Sequence, residues 1–135
     1  MRHAFLVTAY RDYPTLCSLV DQLLELPDSR IFINIDGRSK ELIHQFTGHL
    51  KTLNSPRVDL QTQQVRWGSY EHFDVFMQMA QKALNIHCDY FHTITGQCHI
   101  VKPIPAFEAF FEENANNNYI QHFPLPDVNW NGLGE

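Results

Sequence analysis

The chain has 135 residues and a mass of 15.8 kDa, which fits one domain that folds without disulfide or metal staples. Its net charge of -5 and pI near 5.8 argue against a nucleic-acid partner, because proteins that bind phosphate backbones usually carry a basic face. Three cysteines, no leading signal sequence and no membrane-spanning apolar run favour a reduced, cytoplasmic protein, although peripheral attachment to a membrane needs only a surface patch.

The apolar residues switch several times between a strand-like and a helix-like period, a pattern typical of βαβ units around a parallel sheet. A first strand is predicted over Ala4 to Thr8. Asp12 is expected to cap the helix that follows, and Pro27 and Asp28 end it. The expected buried face of this helix consists of Leu16, Leu19, Val20, Leu23 and Leu24.

The second unit begins with a short β-branched run, Ile31 to Ile35, which is typical of a strand covered on both faces. Ser39 is expected to cap the next helix, and Asn54 to Pro56 close it. The expected buried face consists of Leu42, Ile43, Phe46, Leu50 and Leu53.

A weaker third strand is predicted over Arg57 to Leu60. The helix after it, from about Ser69 to Asn85, is expected to be the best packed of the chain, with Ser69 as its N-cap and Glu71 near its positive end. Its expected buried face consists of Phe73, Phe76, Met77, Ala80 and Leu84.

The last part of the sequence predicts a fourth strand over Tyr90 to Thr95, a short helix over Pro105 to Glu113 and a final strand over Asn118 to Phe123. Residues 124–135 are rich in Pro, Gly and Asn and have no core of their own. We therefore predict an α/β domain over residues 1–123, with three layers and a mostly parallel sheet, followed by an irregular tail.

In an open parallel sheet, ligands bind outside the carboxyl ends of the strands. This rule places the loops 9–12, 36–39, 66–69 and 96–102 along one edge. Asp36 follows a buried strand, so its carboxylate either accepts hydrogen bonds from a ribose hydroxyl or a base N–H, or merely shapes the turn.

The corner around Trp67 is the most informative of these loops. Trp67 either stacks on a flat ring or closes the core at the end of the sheet. Gly68 lets a ligand or another backbone approach closely, and Ser69 is interpreted as a helix cap rather than a nucleophile. The cations near the edge that could neutralise a diphosphate are Arg11, Arg38, Arg66 and Lys102.

The sequence predicts no metal site. Five His and Cys residues lie close together in the sequence and form a cluster. Their spacing matches no standard zinc pattern, and a strand would divide them between two faces of the sheet. The chain also lacks the GxGxxG and GxxxxGK[ST] motifs and any Asp-x-Asp pair, a common device for holding a metal-bound diphosphate. The cluster consists of His87, Cys88, His92, Cys98 and His99.

Four short blocks carry a resemblance to a known family. They are His3 to Tyr10, Ile33 to Ser39, Val65 to Tyr70, and Thr95 to Gln97 with Lys102. In this order they resemble the core-2/I-branching β-1,6-N-acetylglucosaminyltransferase family, which also includes peptide O-xylosyltransferases. The likeness runs through most of the chain.

The resemblance implies the nucleotide-binding half of a GT-A fold that takes a UDP-sugar as donor and needs no metal or other cofactor. It implies an inverting single displacement in which a carboxylate base activates an acceptor hydroxyl of a glycan or glycolipid. By position, the nucleotide-sugar contacts would be Ala9, Tyr10, Arg11, Asp36, Gly37, Arg38 and Trp67. A donor or acceptor loop would comprise Gly96, Gln97, Cys98 and Lys102, with Cys98 where family members usually carry Asp.

Family catalytic domains are much longer than this chain, and the resemblance places the catalytic base and the diphosphate-binding cations beyond residue 135. We therefore expect the donor-binding half of a transferase for a GlcNAc or xylose-like sugar, truncated and inactive alone, which self-associates through the face left by the missing half. One alternative is a non-catalytic nucleotide-binding or interaction module. Another is a small metal-binding or phospho-accepting α/β protein that depends on the His and Cys cluster or on Asp36.

Overall fold

A computed structural model of the chain describes residues 1–122 and 124 and shows four parallel strands in one sheet between two layers of helices. The strands are β1 (His3–Ala9), β2 (Arg30–Ile35), β3 (Val58–Gln61) and β4 (Tyr90–Thr95), in the order β3-β2-β1-β4. The helices are α1 (Tyr13–Leu24), α2 (Lys40–Leu53), α3 (Tyr70–Leu84) and α4 (Ile104–Glu113). The predicted three-layer α/β class with a mostly parallel sheet is confirmed.

The chain reverses its direction across the sheet after β3, and this reversal decides which face each helix covers. β1, β2 and β3 follow one another toward one edge, whereas β4 returns to the other side of β1. Since crossovers between parallel strands are right-handed, α1 and α2 lie on one face and α3 lies on the opposite face. α4 joins the face of α1, where Phe107 packs against the same core.

The larger core lies between the sheet and α1 and α2. Phe5 and Val7 of β1 point into it beside alternate residues of β2, and all of them are buried. The predicted faces of both helices are confirmed as core faces. Their buried members are Leu16, Leu19, Val20, Leu23, Leu42 and Phe46, and their partly buried members are Leu24, Ile43, Leu50 and Leu53.

The predicted buried face of α3 is wrong, because a different face of the helix packs on the sheet. The helix buries Val75, Met79 and Ala83 against β1 and β2. Most of the expected face is exposed, so α3 is not the best-packed helix. α3 has two apolar stripes, and helical periodicity does not say which of them meets the sheet. Of the expected residues, Phe76 and Ala80 are half-buried, whereas Phe73, Met77 and Leu84 are exposed.

The predicted N-caps behave in two ways. Asp12 caps α1 as predicted, because its Oδ1 accepts a hydrogen bond of 3.3 Å from the backbone N–H three residues later. Ser39 and Ser69 stand at the N-cap positions of α2 and α3, but neither hydroxyl makes a capping hydrogen bond. Ser39 donates to the carbonyl oxygen of Tyr10 at 2.7 Å, which joins the loops after β2 and β1. Ser69 donates to the carbonyl oxygen of Arg66 at 2.6 Å, within its own turn.

The predicted final strand is wrong over residues 118–122, which form no strand, while Phe123 lies outside the described residues. Asn116 has a φ of 73° and turns the chain just before this segment. Tyr119 then packs on α4, with its ring centroid 5.3 Å from that of Phe110. Apart from Pro124, the predicted irregular tail also lies outside the described residues.

Gly96 sets the close approach of the β4 end to β1, and its replacement tests this packing. A Cβ at Gly96 would lie 2.9 Å from the Cβ of Ala9 and 3.2 Å from Cδ1 of Leu16. We expect Gly96→Ala to lower the free energy of unfolding by about 1–3 kcal/mol in urea titrations. Gly48→Ala, on α2 where a Cβ meets nothing within 4 Å, should instead raise it by up to about 1 kcal/mol. Equal effects of the two substitutions would contradict this account.

Two imidazoles share a hydrogen bond beneath α4. Nδ1 of His3 and Nε2 of His92 are 2.9 Å apart, and both rings pack among aromatic side chains that include Phe107 and Phe111. Burial, helped by the neighbouring His3, lowers the pKa of His92 to about 4. Burial also lowers the pKa of His3. Both imidazoles are therefore neutral at pH 7.

This pair predicts a loss of stability on acidification. The pKa of His92 falls from 6.5 to about 4 on folding, so the unfolded chain binds more protons between these values. The free energy of unfolding should therefore decrease as the pH falls from 6.5 to 4, by about 3 kcal/mol from His92. His92→Leu should flatten this pH dependence in urea titrations, whereas replacing the exposed His44 by Gln should not. Identical slopes for the two variants would refute the assignment.

Candidate functional site

The loops after β1, β2 and β3 meet at the carboxyl edge of the sheet around a cavity of about 590 Å³. The loops after β1 and β2 lead to helices on one face, whereas the loop after β3 leads to α3 on the other. The chain therefore diverges here and leaves a crevice, the usual position of a ligand in an open parallel sheet. Its lining includes Ala9, Asn34, Asp36, Arg38, Trp67 and Thr95.

Asp36 and Arg38 form an ion pair at the wall of this cavity. Nε of Arg38 donates to Oδ1 of Asp36 at 3.0 Å, and Nη2 donates to Oδ2 at 2.7 Å. The backbone N–H of Arg38 also donates to Oδ1, at 2.9 Å. The side-chain hydrogen bonds from Arg38 hold the pKa of Asp36 below its usual range. Asp36 therefore shapes its loop, and its carboxylate still borders the cavity.

Arg38 also joins two loops. Its Nη2 donates to the carbonyl oxygen of Val65, which belongs to the loop after β3. Its side chain remains 56% exposed, so the guanidinium is held in place while one side of it still meets solvent. A fixed, accessible guanidinium is well suited to an anionic group of a ligand.

Asn34, which the sequence reasoning missed, fixes the loop after β3. Its side chain is buried, with Nδ2 donating to the carbonyl oxygen of Gln63 at 3.1 Å and Oδ1 accepting from the N–H of Gln63 at 3.0 Å. The Gln63 side chain then donates to Asp74 on α3 at 3.2 Å. The sequence contains a signal for this role, since Asn34 is one polar residue inside a continuous apolar strand. Buried polar groups almost always have a specific partner.

Trp67 stands at the rim of the cavity with its side chain almost fully in solvent. The residue is 98% exposed, so the interpretation as a core aromatic is wrong. Gly68 has a φ of 72°, so the turn needs glycine for its backbone conformation, and no described backbone beyond its chain neighbours lies within 4 Å of where a Cβ would be. The exposed indole is available to stack on a flat ring.

An ion pair braces the turn that carries Trp67. Nη2 of Arg66 donates to Oε1 of Glu71 at 3.0 Å, and the backbone N–H of Arg66 donates to Oε2 at 2.9 Å. These hydrogen bonds lower the pKa of Glu71 to about 2. The Ser69 hydroxyl oxygen lies 2.9 Å from Oε2 of the same carboxylate. Arg66, one of the predicted phosphate ligands, is therefore engaged within its own turn.

The remaining predicted nucleotide contacts lie at three positions. Ala9 and Tyr10 border the cavity. Arg11 lies instead in a shallow neighbouring cavity, where its guanidinium carbon is 5.1 Å from the Tyr10 ring centroid and its Nη2 donates to Gln97 at 3.4 Å. Gly37 does not border the cavity and packs against the loop after β3, where a Cβ would lie 2.7 Å from the carbonyl oxygen of Thr62.

The predicted donor or acceptor loop does not reach the same cavity. Cys98 and Lys102 line a separate, mostly apolar cavity of about 660 Å³ between α1, β4 and α4. Gly96 is buried against β1. The Gln97 side chain contacts the loop after β1, where its Oε1 accepts a hydrogen bond from Arg11. Thr95, at the end of β4, is the neighbouring residue that borders the first cavity.

Over residues 1–122 and 124, no three His, Cys, Asp or Glu side chains are grouped as metal ligands. The histidines of the sequence cluster separate: His92 pairs with His3 in the core, and His99 lies 3.3 Å from the Ser18 hydroxyl. In the same part of the chain, no helix combines the length and apolar character needed to cross a membrane.

Comparison with known proteins adds no family assignment. No protein-family model matches the chain, and no curated protein matches it. A functional proposal therefore depends on the geometry of the cavity and on the four sequence blocks that surround it.

The Asn34 contact predicts a specific loss of order in the loop after β3. Asn34→Ala leaves the N–H and carbonyl of Gln63 without their side-chain partners, which should lower the free energy of unfolding by about 1–3 kcal/mol. Amide hydrogen exchange at Gln63 should accelerate more than exchange in β1. Thr52→Ala, at an exposed position of α2, should change neither quantity appreciably. Unchanged exchange at Gln63 in Asn34→Ala would contradict this role.

Proposed function

We propose that the cavity at the carboxyl edge binds the nucleotide of a UDP-sugar, and that the chain is the donor-binding part of a metal-independent, inverting glycosyltransferase. The observation that carries the proposal is the meeting of the Asp36–Arg38 pair and the exposed Trp67 ring at one cavity. Each of the four sequence blocks that resemble the core-2/I-branching family contributes at least one lining residue to this cavity.

The cavity has the size and chemistry that a nucleotide needs. Its volume of about 590 Å³ lies within the range of about 300–1,000 Å³ that small-molecule sites usually occupy. Trp67 offers a π face for uracil, and Asp36 offers carboxylate oxygens near the end of β2, where a ribose hydroxyl is commonly bound. Arg38, with Arg11 in the neighbouring cavity, supplies the nearest positive charge for a diphosphate.

In the proposed reaction an acceptor hydroxyl oxygen forms a bond to the anomeric carbon, the bond from that carbon to the diphosphate breaks, and a base takes the hydroxyl proton. Asp36, which lines the cavity, and Glu71, which braces the turn of Trp67, are each bound by an arginine and have lowered pKa values. Such carboxylates are weak proton acceptors. The described site thus favours donor binding, and the base is proposed to lie elsewhere in the enzyme.

The paired carboxylates also favour a second candidate, a nucleotide-binding module without turnover. Both candidates need the same cavity, and they differ in whether a sugar is transferred to a glycan or glycolipid hydroxyl. The three cysteines, Cys17, Cys88 and Cys98, are free thiols, which supports a reducing, cytoplasmic setting for either candidate.

Titration calorimetry with UDP, UDP-GlcNAc and UDP-xylose tests the binding site. Trp67→Ala should weaken binding about five- to 150-fold, because stacking of a base on an aromatic ring contributes about 1–3 kcal/mol. The melting temperature should not change, because the side chain is exposed. Tyr70→Ala is the matched control, since this exposed aromatic lies nearby but does not border the cavity. Failure of the unmodified protein to bind any of the three ligands would refute both candidates.

Release of UDP from UDP-GlcNAc or UDP-xylose in the presence of glycan acceptors separates the two candidates. Because the base is proposed to lie elsewhere in the enzyme, the chain alone should bind the donor without acceptor-dependent release. Release that appears once the part supplying the base is added supports the transferase, and its continued absence supports the module. Adding EDTA should leave both binding and release unchanged if the site works without a metal.

A further inference from the structure

The outer side of α3 carries an apolar stripe that the described fold leaves uncovered. Tyr70, Phe73, Met77 and Leu84 are 73%, 56%, 51% and 55% exposed. Their spacing places them along one side of the helix, away from the Val75, Met79 and Ala83 stripe that packs on the sheet. A helix with two apolar sides normally packs against two neighbours, and α3 has the sheet as one of them.

Among the described residues, Phe91 of β4 adds to the exposed apolar surface on the α3 face of the sheet. The other flank of α3 is engaged with β3, where Lys82 pairs with Asp59 and Gln78 lies within hydrogen-bond distance of Gln61. The stripe therefore lies on the side of α3 away from β3. Phe91 of β4 is the register partner of Ala4, which packs beneath α3. Phe91 therefore points to the α3 face of the sheet, and it is 37% exposed. A helix about 10 Å wide covers about two strands spaced about 4.8 Å apart, so α3 leaves β4 open.

Charge and area favour a second copy of the chain on this surface. Neither the stripe nor β4 carries an acidic or basic side chain other than His92, which points to the opposite face of the sheet. Two copies with a net charge of -5 each would repel one another over most other surfaces. Five half-exposed side chains of about 200 Å² offer roughly 500 Å² per copy, a large part of the about 800 Å² per partner in a specific interface.

We propose that this stripe is the contact surface of a homodimer in which α3 of one copy packs against α3 of the other across a two-fold axis. A two-fold contact is self-complementary, so the same uncharged residues meet from both sides. The surface lies apart from the nucleotide cavity, and the proposed dimer does not depend on the proposed function.

Sedimentation equilibrium over a series of protein concentrations tests the dimer. The unmodified chain should approach twice the monomer mass as its concentration rises, whereas Met77→Glu and Phe73→Glu should each remain monomeric. His44→Glu adds the same charge at an exposed position of α2 on the opposite face, and it should dimerise like the unmodified chain. Circular dichroism at low concentration checks that all variants are folded, which is expected because the replaced side chains are exposed.

Met77→Lys tests whether the loss of the dimer in Met77→Glu is due only to charge repulsion between the copies. It lowers the net negative charge, but it should still abolish the dimer because it removes the apolar side chain. A chain that is monomeric at every concentration would overturn the proposal. A dimer that survives both substitutions at Met77 would overturn it as well. Trp67→Ala should leave the dimer intact while weakening nucleotide binding, so the two proposals can fail independently.

Discussion

The return of the chain from β3 to the far side of β1, made with a right-handed crossover, is the constraint on which the rest of the structure depends. It sends α3 to the face opposite α1 and α2, and it separates the loop after β3 from the loops after β1 and β2. The crevice between these loops becomes the cavity. The same return leaves α3 as the one described helix on its face, which explains the uncovered stripe on its side away from β3.

Binding of the proposed anionic ligand would set an electrostatic requirement at the cavity, and the arginines meet it. In a chain with a net charge of -5, an anionic ligand is repelled unless the carboxylates near it are neutralised. Arg38 neutralises Asp36 and Arg66 neutralises Glu71, and in each pair the arginine also fixes a loop. This arrangement removes free negative charge from the rim and leaves hydrogen-bonding and stacking groups in place. It also explains why neither carboxylate is a good candidate for a catalytic base.

The sequence predicts those parts of the fold in which hydrophobic pattern allows one interpretation. β2 is a continuous β-branched run, and α1 has a single apolar face, so both were predicted correctly. α3 has two apolar faces of equal period, and only the tertiary neighbour decides between them. The predicted final strand is wrong because strand-forming residues also need a neighbouring strand to pair with. At the site, Asp36, Arg38 and Trp67 follow from the rule of strand ends, but Asn34 acts through Gln63, a contact that no local pattern contains.

The two apolar sides of α3 also separate ligand binding from association. His72 borders the cavity from the first turn of the helix, whereas Tyr70 and Phe73 of the same turn face outward with ring centroids 5.6 Å apart. A partner helix packed on the outward residues would leave the cavity open and would hold the start of α3 in place. Since Asp74 of that turn accepts a hydrogen bond from Gln63, the loop that carries Trp67 would be held between Asn34 on one side and the partnered helix on the other.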